Sequence, residues 1–202
     1  MSRYVLVVVM LLVLAPTAAM ADSVANRLGA SVRLGAMLPF NDDFVKGATG
    51  TTASFAVGGG LMYSFGDLIA AEVEVLQMPK LDVKSGGVKS YEASITDVSM
   101  GVQLRFLTKN SIVPYLAIGP DLITADLKHV NGATYSLDWT YGGHLGIGAD
   151  WFLTPGIAMN LDLKGVYAAD GDVLSGGASV SKYRPQWFQS TVGLRMFLPE
   201  IF

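Results

Sequence analysis

Residues 135–153 (YSLDWTYGGHLGIGADWFL) alternate strictly, and the alternation predicts a β-strand. The odd positions run Tyr135, Leu137, Trp139, Tyr141, Gly143, Leu145, Ile147, Ala149, Trp151, Leu153; the even positions are small, polar or charged. A strand sends successive side chains to opposite faces, so one face is apolar and the other is not. The apolar face carries aromatic rings at both ends. Tyr141 and Trp151 stand ten positions apart, roughly 33 Å along a strand. A tilt of about 40° reduces this to roughly 25 Å of height, the apolar band of a membrane barrel. Aromatic rings with a polar atom suit the two edges of such a band.

Seven further segments repeat the pattern: 27–38, 54–65, 68–78, 92–107, 113–127, 157–168 and 187–198. The connections alternate in length. Residues 66–67, 108–111 and 154–156 are short; 41–53, 79–91, 128–133 and 169–186 are long and rich in Gly, Asp, Asn, Lys and Ser, as solvated loops are. An even strand number with short and long connections in turn predicts an all-β fold: an eight-stranded antiparallel up-and-down transmembrane β-barrel. A soluble barrel of the same period would turn its apolar face inward and would have no use for aromatic edges.

Composition places this barrel in a membrane. Hydrophobic residues make up 51 % of the chain and charged residues 15 %, against about 25 % charged in an ordinary soluble domain. Arg3, an apolar run over 4–14 and the small-x-small site Ala19-Met20-Ala21 read as a cleaved signal peptide over residues 1–21. Its run is shorter than the ~20 apolar residues a spanning helix needs. Residues 22–202 are then one barrel domain. The chain has no cysteine, which excludes disulfides, thiol catalysis and thiolate metal sites. A net charge of −3 with no basic stripe argues against nucleic acid.

Residues 113–119 (VPYLAIG), 143–153 (GHLGIGADWFL) and 156–164 (GIAMNLDLK) resemble the small eight-stranded outer-membrane proteins of the OmpA-like and OmpW-like class. The resemblance implies a location in the outer membrane, contact with its lipid, and a monomer. It also implies delivery by the barrel-assembly machinery through the C-terminal strand ending at Phe202, although Pro199 and Glu200 interrupt the usual alternation there.

The face opposite the lipid is expected to hold Arg33, Glu72, Glu74, Asp97, Arg105, Asp121, Asp138, His144, Asp150, Asp162, Lys164 and Arg195. Charges removed from bulk water must pair or neutralise, and eight strands leave room for little beyond side chains. A salt-bridged polar plug is therefore expected, with Glu72, Glu74, Asp97 and Asp162 opposing the four cations. Tyr63, Trp139, Tyr141, Trp151 and Tyr167 are expected to form the aromatic girdle.

Enzymatic chemistry finds no support. His144 reads as a satisfied interior histidine near Asp121 or Asp162, and His129 as a solvated one. Gly58-Gly59-Gly60 lies within a strand and lacks the Lys-Ser/Thr of a phosphate loop. Asp170-Gly171-Asp172 lacks the remaining ligands of a calcium loop. No catalytic residue, metal site or cofactor is expected. The functional readings are a plugged barrel with a structural or surface role, passive passage of small apolar molecules as the OmpW-like resemblance implies, and recognition through the loop 169–186 with Tyr183, Arg184 and Trp187.

Overall fold

Among residues 24–41, 44–106 and 109–199, which the computed structural model describes, there are eleven β-strands and no helix. Eight form the wall: β1 Leu28–Pro39, β3 Ser54–Ser64, β4 Ile69–Ser85, β5 Val88–Arg105, β6 Ile112–His129, β7 Thr134–Thr154, β8 Ile157–Ala168 and β11 Gln186–Phe197. Each is antiparallel to its sequence neighbour in the wall, and β1 pairs with β11 to close the ring. Closure satisfies every strand edge, which lipid demands. The short β2 (Gly50–Thr51) pairs with β4, and the β9–β10 hairpin (Gly171–Ser175, Ala178–Tyr183) pairs with β7. The leader expected over 1–21 and the terminal Phe202 lie outside the described residues.

Alternation holds through the membrane. Val32, Leu145 and Ile118 are more than 60 % exposed while Arg33, His144 and Ala117 beside them are buried, so these apolar side chains point to lipid. Tyr63 and Trp151 point outward near one rim, and Trp139, Tyr141 and Tyr167 near the other. Tyr63 packs edge-on against Phe65, and Tyr167 packs against Phe40 with ring centroids 5.1 Å apart in each pair.

Four consecutive strands are longer than a membrane requires. β4 to β7 have 17, 18, 18 and 21 residues, against about 9–11 for a crossing. The excess rises beyond Trp139 and Tyr141 as a cup, and there the outward face turns polar with Ser94, Glu92, Asp126 and Lys128. Long connections face outward in such barrels, so the cup is the outer end.

Two expectations are corrected here. Residues 79–91 are not a loop: β4 continues through a β-bulge at Pro79–Lys80, where Met78 pairs with Ile95 and Leu81 with Ala93. Proline cannot donate to the ladder, and a bulge removes the need. β4 then turns at Gly86–Gly87 into β5. Both glycines have positive φ (59° and 82°), as do Gly176 and Gly177 (59° and 85°) at the tip of β9–β10, so residues 169–186 are also largely strand. Such φ pairs make the tight turn that suits a hairpin's twist.

The second correction concerns β7. Ile123 pairs with Thr140 but Ala125 pairs with Leu137, so β7 carries one extra residue at Asp138–Trp139. The bulge resets the alternation. Tyr135 and Leu137 turn inward, and Asp138 turns outward.

Candidate functional site in the barrel lumen

The inward side chains stack in three tiers. The inner mouth is apolar: Val24, Met62, Ala70, Val113, Phe152, Ala158 and Phe197 form one buried cluster, with Phe152 stacked on Phe197 at 5.6 Å. Arg27 closes it from below, donating to the carbonyls of Leu198 (2.7 Å) and Pro155 (3.0 Å) while lying over the Phe197 ring.

The middle tier is charged, and every member is buried. Glu72 on β4 is its centre. Its Oε1 accepts from Arg33 Nη2 and from Arg195 Nη2 (2.7 Å), and its Oε2 accepts from Gln103 Nε2. Arg195 reaches across to Asp150 on β7 with Nη1, 2.7 Å from Oδ2. Arg105 pairs with the same oxygen from 2.9 Å. Arg33 also pairs with Glu74 at 2.6 Å, and Lys164 donates to Glu74 at 3.1 Å. Tyr115 donates its hydroxyl to Asp162 (2.8 Å), accepts from Asn160 (2.8 Å) and lies beneath the Arg195 guanidinium.

Glycine makes the room. Arg33 faces Gly58 across one side and Gly193 across the other. Tyr115 faces Gly148, where an added Cβ would run into the tyrosine ring. Gly58 thus serves close packing.

Eleven of the twelve charged residues expected in the lumen therefore point inward and are buried; Asp138 is the exception, exposed on the outward side of its bulge. Two pairings differ from expectation. Arg105 takes Asp150, and Asp97 has no cation bonded to it: its Oδ1 lacks a hydrogen-bond partner. His144 pairs through Nδ1 with Asp121 at 2.9 Å. Four cations (Arg33, Arg105, Lys164, Arg195) thus face six acids (Glu72, Glu74, Asp97, Asp121, Asp150, Asp162). The surplus acids Asp97 and Asp121 sit at the outer edge of the tier, one inward step from Ile95 and Ile123.

The outer tier is apolar again. Met37, Leu76, Met78, Ile95, Ile123, Leu127, Leu137, Val166 and Trp187 fill it, with Tyr183 and Phe44 as its lid. Tyr183 donates its hydroxyl to the Asp138 carbonyl at 2.6 Å. Tyr183 and Trp187 are each only 1 % exposed. Neither can contact a surface partner, so of the three loop residues expected to do so only Arg184 remains exposed. The sequence reading also missed Tyr115, Gln103 and Asn160; their inward phase on charged strands was the available signal.

Above the lid lies an open cavity of about 430 Å³. Its walls are two hairpins of like sequence, Asp82-Val83-Lys84-Ser85-Gly86-Gly87 and Asp172-Val173-Leu174-Ser175-Gly176-Gly177, with Val83 and Val173 both turned inward and buried. This short internal repeat was visible in the sequence and marks the cup.

Residues 6–195 match the model of the family described as outer membrane protein beta-barrel domain. No curated protein sequence matches the chain. Among solved structures it is similar to Neisserial surface protein A (13 % identity, 85 % of this chain, 97 % of that one, TM-score 0.62). It is equally similar to the outer membrane protein OprG from Pseudomonas aeruginosa (16 %, 88 % and 99 %, TM-score 0.62). The outer membrane protein AlkL, solved in lipid bilayers, follows (16 %, 86 % and 90 %, TM-score 0.55). At these identities the likeness is one of fold.

Proposed function

The chain belongs to the outer membrane β-barrel family and is an outer-membrane protein, and within that family we propose that it is a sealed barrel whose working end is its outer cup. The observation that carries this reading is the Glu72 carboxylate, held at once by Arg33, Arg195 and Gln103 from three other strands. An ion crossing the lumen would have to break that junction, and breaking a buried pair leaves an uncompensated charge. Apolar tiers above and below add two dry barriers. The barrel then works as a monomer in outer-membrane lipid, since a closed ring offers no free strand edge. It follows a cleaved leader and is delivered through its terminal strand to the assembly machinery. No step of catalysis, no cofactor and no nucleic acid enters this reading.

Planar-bilayer recording of the purified protein tests it. The expected result is no stable opening. A large, stable, ion-selective conductance overturns it.

The apolar outer tier favours a second reading, passage of small apolar molecules. Solutes would enter from the cup and leave sideways, above the charged tier, into lipid. Proteoliposomes should then take up an apolar solute faster than protein-free liposomes; the sealed reading expects equal rates.

A further inference from the structure

We propose that the cavity between the two like hairpins binds a small amphipathic anion: an aromatic or short-chain body carrying one carboxylate. The floor and walls are apolar, from Val83 and Val173 with the rings of Tyr91 and Tyr135. These rings pack edge to face, 6.3 Å apart at 71°, and Tyr91 also packs edge-on against His129 at 4.7 Å, an aromatic wall against which a ligand ring can pack. The volume of about 430 Å³ falls within the usual range of small-molecule sites.

The rim sets the sign of the charge. Lys46 and Lys84 both line the cavity, and neither amine meets a carboxylate among the described residues. The nearby acids are already engaged. Asp82 and Glu92 share Lys89, at 2.5 and 2.9 Å. Asp172 accepts from the Ser179 hydroxyl, and Asp170 holds Arg184. The cavity thus joins valine and tyrosine walls to a polar lip where, among the described residues, two lysines meet no carboxylate, and Ser85, Ser175 and Ser181 supply hydroxyl donors beside them. A carboxylate head accepts from lysine in a charge-assisted bond while its body covers the valines and tyrosines. A neutral apolar molecule leaves the lysines unused, and a cation meets repulsion. This site rests on the cup being the working end, but it does not require a sealed lumen.

The test uses the full barrel in lipid nanodiscs with three probes of one shape: 3-phenylpropanoate, 3-phenylpropan-1-ol and 3-phenylpropylammonium. Binding is read by saturation-transfer NMR, with empty nanodiscs subtracted. The acid should bind, the alcohol about tenfold more weakly, given what a hydrogen bond to a charged group contributes, and the ammonium not at all. Replacing both rim cations, Lys46→Gln with Lys84→Gln, should bring the acid down to the level of the alcohol. Both side chains lie at the surface of the cup, so heat-modifiability on a gel should remain that of the unmutated barrel. Filling the space with Val173→Trp should remove the binding of acid and alcohol alike. Equal binding of acid and alcohol overturns the proposal, as does acid binding that survives loss of both lysines, or no binding above empty nanodiscs. Because conductance plays no part, a conducting barrel would refute the sealed reading and leave this result to stand or fall separately.

Discussion

The middle and outer tiers share one lumen, the same strands and the same burial, yet they are held by opposite physics. In the middle tier, side chains reach across the bore to named atoms, and each carboxylate of the Glu72 and Asp150 pairings depends on a particular cation. In the outer tier, Met37, Leu76, Met78 and Ile123 touch whatever lies beside them, and only the Tyr183 hydroxyl at its lid is tied to a named atom. Directional pairing fails when chemistry changes at constant volume. Apolar packing fails when volume changes at constant chemistry.

The strongest break in this comparison is Arg195→Met. It keeps an unbranched side chain of similar length but takes one of two cations from each of Glu72 and Asp150, and should cost about 3–5 kcal/mol. Urea titration followed by heat-modifiability on a gel measures it. Stability close to that of the unmutated barrel would mean the middle tier is merely packed.

A smaller effect is expected where neither tier is touched. Leu145 is 65 % exposed and faces lipid, so Leu145→Arg should cost about 2–4 kcal/mol near the midplane. Ser94→Arg, on the polar outward face of the cup, should change stability little. Equal losses in the same urea assay would place the membrane boundary wrongly.

Smaller again, Met78→Leu in the outer tier preserves volume and should cost less than about 1.5 kcal/mol. A loss as large as that of Arg195→Met would show that the outer tier is also specified atom by atom.

The smallest effect lies outside both tiers. Arg184 donates to Asp170 at 3.0 Å and holds that carboxyl below its usual value. The folded pKa is lowered, so this contact stabilises the β9–β10 hairpin above the ordinary aspartate pKa of about 3.9. The contribution is lost as pH falls through the lowered value. Amide exchange in the hairpin should quicken there while the barrel wall stays protected. No change in the hairpin between pH 5 and pH 2 would remove the contact from consideration.

The membrane barrel was legible because lipid enforces a period of two on every strand, and eleven of the twelve expected lumen charges follow from that phase alone. Asp138 was misplaced because one extra residue in β7 reverses the phase, and no residue type announces it: Asp138 and Trp139 read equally well in either direction. At Pro79 the sequence did carry a breaker, but Met78, Leu81 and Val83 show that the chain passes it by a bulge instead of ending. Residues 79–91 looked like loop because their polar positions face water above the membrane, while Leu81, Val83 and Tyr91 face a cup whose existence a linear pattern cannot report. Pairing within the middle tier needed the shear of the closed ring. Arg105 finds Asp150 two strands away, and Asp97 finds no cation, only once register is set.

Glu72 accepts from Arg33 on β1 and from Arg195 on β11, the two strands whose union closes the ring. That junction has no counterpart in any single hairpin. Until the first and last strands meet, Glu72 has, of its two arginines, only Arg33, from two strands away on its own side of the seam, and Arg195 cannot be aligned with both Glu72 and Asp150. Neutralisation of the middle tier is therefore complete only when the seam is closed. Run backwards, opening the seam parts Arg195 from Glu72 beside the membrane interior. The seam thereby adds a charge-separation cost to any opening of the ring, so the barrel's lifetime in the membrane is a matter of rate as much as of equilibrium.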